Sequence, residues 1–134
     1  MTHLLDTSAL IAYAFKEPGG ERIQELIADP TVALGLSVLS VFEVWGRLKS
    51  AGREDLFERD WPMYRELFTT VAEVTLPIVQ QATALRRGAS ARLPTVNALI
   101  AATAAVHGAT LVHRDPHFAT LPADLLVQEP LAVG

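Results

Sequence analysis

Asp6, Glu43 and Asp115 each come after an apolar run of the kind that forms a buried strand, and Asn97 stands near the start of an apolar, helix-like stretch. Taken singly, each has a structural explanation. Asp6, in Leu4-Leu5-Asp6-Thr7-Ser8, can cap a helix by accepting backbone N–H bonds. Glu43 completes a capping box begun by Ser40 and stands four residues before Arg47. Asp115, in Arg114-Asp115-Pro116, suits an Asx turn, and the Asn97 amide can bond the backbone of its helix. Taken together, they point elsewhere. Carboxylates converging on one edge of a sheet repel one another unless a divalent cation offsets them. The chain has no cysteine and only four histidines. The donors on offer are therefore hard oxygens, which suit magnesium, with manganese as the alternative. Such ions activate water and stabilise in-line displacement at a phosphodiester.

Bringing positions 6, 43, 97 and 115 together requires strands alternating with helices. Residues 3–5 predict a first strand, followed by a helix that stops near Pro18-Gly19-Gly20. Ile23, Leu26 and Ile27 recur at helical spacing over 21–28, and 32–36 reads as a buried strand. Ser37 or Ser40 caps a helix running to about Ala51-Gly52. Residues 54–70 carry an apolar helical stripe, and 71–76 reads as a strand. Pro77 opens a helix to about Gly88, and Pro94-Thr95 opens another that ends at His107-Gly108. Strands over 109–112 and 125–127 close the pattern. This order predicts an α/β fold with a mainly parallel sheet covered on both faces. Such sheets bind ligands beyond the carboxyl ends of their strands, which is where these acids fall.

With 134 residues, half of them hydrophobic and 19% charged, the chain suits a single domain over residues 1–134 and argues against disorder. The absence of cysteine removes disulfides and thiolate catalysis and fits a cytoplasmic protein. No basic segment leads into a long apolar run at the N-terminus, so no secretory leader is expected. No apolar run is long enough to span a bilayer, so no membrane partner is expected either. A net charge of -4 runs against a nucleic-acid substrate, although an acidic metal site would itself pull the total down.

These segments are similar to those of a known family. Leu4-Leu5-Asp6-Thr7-Ser8-Ala9-Leu10 looks like the opening strand and first acid of PIN domains. Ser37-Val38-Leu39-Ser40-Val41-Phe42-Glu43-Val44 resembles the segment carrying their second acid, and Leu93 to Ala104 resembles the helix holding the third. Gly108 to Phe118 resembles the closing strand and fourth acid. The order spans nearly the whole chain, and its length suits the VapC toxins of type II toxin–antitoxin modules. The resemblance implies a three-layer α/β/α fold and a magnesium-dependent endoribonuclease acting on RNA. It also implies a homodimer and neutralisation by a small antitoxin protein. Asp6, Glu43, Asn97 and Asp115 would be the catalytic and metal-binding set. Two positions depart from the family pattern. Asn97 stands where the third acid is normal, with an oxygen for a metal but no charge and no basic function. His113 stands where a small hydroxyl residue is usual.

Asn97 also supports a rival reading, a non-catalytic PIN-like module that binds without cutting. An aspartyl-phosphate hydrolase ranks lower, because it needs a second Asp where Ser8 stands. Arg86, Arg87 and Arg92, before the Asn97 helix, and Arg114, beside Asp115, are candidate contacts for the RNA backbone; a solvated helix end explains them equally well. Finally, Phe57, Trp61, Tyr64 and Phe68 gather in one stretch. The Trp61-Pro62 pair predicts a break there that would leave an aromatic edge for a second copy or the antitoxin.

Overall fold

In the computed structural model, which describes residues 1–133, Leu4 and Leu5 lie fully buried side by side, one on each face of a central sheet. They belong to β1 (His3–Leu5), which is followed by α1 (Thr7–Ala14), α2 (Gly20–Ala28), β2 (Leu34–Ser37) and α3 (Val38–Ser50). Next come α4 (Glu54–Arg65), β3 (Thr70–Ala72), α5 (Leu76–Gly88), α6 (Thr95–Val106) and β4 (Thr110–His113). A 3-10 turn over Pro116–Thr120 and β5 (Gln128–Pro130) complete the order. The strands line up as β3-β2-β1-β4-β5, every neighbouring pair parallel, with Leu5 beside Leu36 and Val112.

Because side chains alternate across a strand, each strand feeds two cores. Leu4 and Leu111 pack with Ile78, Leu85, Leu93 and Ile100 of the α5–α6 layer and with Phe118. Leu5, Leu36 and Val112 pack with Leu10, Ile23 and Leu26 of the α1–α2 layer and with Phe68. The result is the α/β/α sandwich that the strand–helix alternation predicts, with both faces of the sheet dry. Among the described residues no helix is long and apolar enough to cross a membrane.

Several boundaries differ from expectation. Ser37 is the cap of α3, its hydroxyl accepting from the N–H of Leu39, so Ser40 lies inside the helix and the Ser40–Glu43 capping box does not form. The third strand ends at Ala72, and Leu76 instead opens α5 with its side chain largely exposed. The last strand begins at Gln128, three residues later than the apolar pattern suggests, because edge strand β5 is held by its backbone bonds to β4 rather than by apolar side chains. The break at Trp61-Pro62 is absent: α4 runs through Pro62 to Arg65. Pro62 has no N–H for the carbonyl of Glu58, but both residues face solvent, where water can serve that oxygen.

Candidate active site

β1 ends one residue before Asp6, and parallel pairing sets the ends of β2 and β4 on either side of it. Asp6 is the N-cap of α1: its Oδ2 accepts from the N–H of Ser8 at 3.1 Å and from the Ser8 hydroxyl at 2.6 Å. The same Ser8 hydroxyl accepts from the N–H of Arg114, just past β4, at 2.9 Å. One residue earlier, the Thr7 hydroxyl lies 2.6 Å from Glu43 Oε1 and 2.9 Å from the Ser40 hydroxyl. Thr7 has one proton, so it donates to the carboxylate and accepts from Ser40. The adjacent hydroxyls at the start of α1 thus hold two acids and the loop that bears a third.

Asp115 caps the 3-10 turn, its Oδ1 accepting from the backbone N–H of His117 at 2.9 Å, with the His117 ring Nδ1 at 2.8 Å. Its Oδ2 accepts from the Asn97 amide at 2.9 Å. Asn97 is the third residue of α6. An amide facing a carboxylate must present its NH2, so Asn97 here donates to Asp115 rather than offering an oxygen beside it. The structural explanations of Asp6 and Asp115 therefore hold alongside the placement that brings them to one edge.

Burial pushes the Asp6 carboxyl above its ordinary value; the Ser8 bonds oppose this, and the nearby charges of Asp115 and Glu43 add to it. Partial burial works upward on Asp115 as well, but the bonds from the His117 backbone, Asn97 and the His117 ring outweigh it and leave the carboxyl below its ordinary value. Two neighbouring aspartates are thus pushed in opposite directions. Asp6 Oδ2 takes both Ser8 bonds, and its Oδ1 is not buried without a partner, so solvent reaches that oxygen.

Among the described residues, no three Asp, Glu or His side chains close round a point tightly enough to enclose an ion as they stand. The chemistry of the donor set nevertheless fits a hard cation: carboxylate oxygens from Asp6, Glu43 and Asp115, no thiolate, and one oxygen open to water. The arginines divide. Arg86 donates to the carbonyl of Leu93 and so ties the end of α5 to the start of α6, which carries Asn97. Arg87 and Arg92 are exposed. Arg114 turns away to Glu17 and the carbonyl of Pro18. Thr7 and Ser8 are residues that sequence reading passes over, and Ser40 enters it only as a helix cap. Their one signal is a run of hydroxyls in otherwise apolar helix starts.

A family model described as the PIN domain matches residues 3–123. Comparison with curated proteins gave no match. Among solved structures, VapBC2 from Rickettsia felis bound to a promoter DNA fragment is similar with a TM-score of 0.78 at 17% identity, covering 98% of this chain and 100% of that one. FitAcB from Neisseria gonorrhoeae is similar with a TM-score of 0.76 at 23% identity, covering 96% and 98%. A toxin–antitoxin complex from Klebsiella pneumoniae is similar with a TM-score of 0.68 at 28% identity, covering 90% and 93%. With a family model spanning nearly all of it and acids at the carboxyl edge of a parallel sheet, the chain belongs to the PIN domain family.

Proposed function

We propose that this chain is the VapC-type toxin of a type II toxin–antitoxin module, a magnesium-dependent endoribonuclease built on Asp6, Glu43 and Asp115, with Asn97 as an uncharged fourth member. The observation that carries this reading is the pair of hydroxyls on Thr7 and Ser8. They bind Glu43 and Asp6 directly and reach the Asp115 loop through the N–H of Arg114. A fold has little reason to spend two adjacent side chains on gathering like charges unless the gathered charge is used. The solved toxin–antitoxin complexes that share the fold support a toxin with a small protein antitoxin as its partner. A cytoplasmic homodimer is the form expected with it.

Asp6, Glu43 and Asp115 would hold the ion. Bound there, magnesium supplies charge compensation and an activated water for attack on phosphorus. The chain's own groups do the positioning. Ser8 occupies Oδ2 of Asp6 and leaves Oδ1 open, Thr7 fixes Glu43, and Asn97 holds Asp115 without adding charge. Arg87 and Arg92 stand free to meet RNA phosphates near the Asn97 helix, whereas Arg86 and Arg114 already hold protein partners.

The deciding experiment compares this chain with Asn97→Asp on mixed transfer and messenger RNA, with and without magnesium. Cleavage that needs magnesium and is lost in Asp6→Ala supports the reading; cleavage indifferent to both removes it. A second reading, a PIN module that binds but does not cut, is favoured by one observation: Asn97 already satisfies Asp115 Oδ2. Such a module would bind magnesium no better than a variant with Asp6, Glu43 and Asp115 all replaced by alanine.

A further inference from the structure

We propose that His113 is a positioning residue for Asp115: its neutral imidazole, with the proton on Nε2, ties the backbone of Asp115 to Gln128 on β5. His113 is the last residue of β4 and is buried at 4% exposure. Its Nδ1 lies 3.2 Å from the N–H of Asp115, and its Nε2 lies 2.8 Å from Gln128 Oε1. The amide of Gln128 in turn donates to the carbonyl of Phe118 at 3.1 Å.

The polarity of this chain of bonds is forced from both ends. A backbone N–H can only donate, so Nδ1 must be the bare nitrogen. A backbone carbonyl can only accept, so Gln128 must turn its NH2 to Phe118 and its oxygen to the ring. Nε2 therefore carries the proton and donates. The other tautomer would face one N–H with another, and turning the Gln128 amide to suit it would set two carbonyl oxygens together.

The bonds enclose the loop that bears Asp115. One end takes the backbone of Asp115, and the other takes Phe118, whose ring packs on His113 with centroids 4.7 Å apart. The carbonyl of His113 accepts from the N–H of Leu131 at 2.7 Å, which fastens the same residue to the chain after β5. With its backbone held by His113, Asp115 can turn one oxygen to the N–H of His117 and the other to Asn97. The carboxylate's place is thus set by an imidazole that has no need to touch an ion or an RNA.

The bearing on metal binding rests on the reading under Proposed function; the clamp itself does not. The test separates acceptor from bulk. In His113→Asn the amide oxygen takes about the place of Nδ1 and can still receive the Asp115 N–H. In His113→Gln the side chain fills more of the pocket and reaches Gln128, but leaves that N–H without its acceptor. Asp115 amide exchange and magnesium affinity by calorimetry are read for both, and the ring tautomer is read by nitrogen NMR of the unaltered chain. The Nε2–H tautomer is expected. His113→Asn should keep affinity and amide protection within about threefold, and His113→Gln should lose about tenfold, the effect of one buried bond. A residue that only fills space would give the reverse order. Reverse order, equal losses, or an Nδ1–H ring would each overturn the proposal. If the unaltered chain binds no magnesium, the metal reading falls while tautomer and amide exchange still decide the clamp. Should a variant fail to fold, the tautomer in the unaltered chain and Asp115 exchange in Gln128→Leu decide it.

Discussion

Burial of Asp6 raises its carboxyl pKa, with the charges of Asp115 and Glu43 adding to the effect. A carboxyl whose pKa is raised on folding stabilises the fold below about pH 4, and that contribution is lost as pH climbs through the folded value. Asp6→Asn keeps an oxygen for both Ser8 bonds and sheds the charge, so it should stabilise the protein at neutral pH. The expected gain in Tm is roughly 3 °C or more, shrinking towards zero as the pH falls to about 4, while magnesium affinity drops. Unfolding followed across that range checks the sign. Glu129 behaves in the opposite way. The Arg22 bonds lower its pKa, so its contribution is present at neutral pH and fades as pH falls through the lowered value. Asn97→Asp should act in two directions at once. Without metal it sets a carboxylate against Asp115 in place of a 2.9 Å bond, and Tm should fall by roughly 5 °C. With magnesium it should recover that loss and cut RNA about 10²–10³ times faster. A Tm unmoved by magnesium in Asn97→Asp would count against a metal at this position. The places of Asp6 and Asp115 just past strand ends were legible in the sequence, whereas Glu43 stands inside α3. The supporting hydrogen bonds were not legible: Thr7 and Ser8 reach partners 36 and 106 positions away, and no local pattern encodes such a pairing.

Helix types were readable where periodicity had length to work with, as in α2, or where proline and glycine marked the ends, as in α5 and α6. The limits of two short strands escaped both. β3 and β5 have three residues each, too few for alternation to show, and their limits are set by pairing with β2 and β4. α4 shows the opposite failure, where a strong local signal yielded to context. Trp61 packs on the core beneath and Phe57 stacks on it at 5.9 Å, so the helix continues past a residue that should end it. The tertiary packing then outweighs a local penalty that remains in place. Pro62→Ala should accordingly stabilise the protein, by about 1 kcal/mol, less than the full interior value because Pro62 lies in the last turn. The midpoint of urea unfolding measures it. A lower midpoint would mean that proline is favoured there by something other than the helix.

At the scale of the whole molecule, the proposed function brings a net charge of -4 against a polyanion. Binding then depends on local cations at the site's edge rather than on the overall field. Arg87→Ala combined with Arg92→Ala should leave stability alone, since both side chains are exposed, and should flatten the salt dependence of RNA binding. For single strands the slope should change by about 0.7 for each phosphate no longer neutralised. An unaltered slope would place the RNA elsewhere. The strand order has a further consequence, in time rather than space. β1 is the centre of the sheet and is made first, but its partner β4 follows more than a hundred residues later. A chain emerging from the ribosome can pair β1, β2 and β3 and bring Glu43 towards Asp6 while Arg114 and Asp115 are still unmade. Chains halted at Gly108 should therefore cut no RNA at all. A nuclease synthesised along a message of its own substrate type would thus stay harmless until residue 115 has cleared the ribosome, and the transcript that encodes it would be protected by the order of its strands.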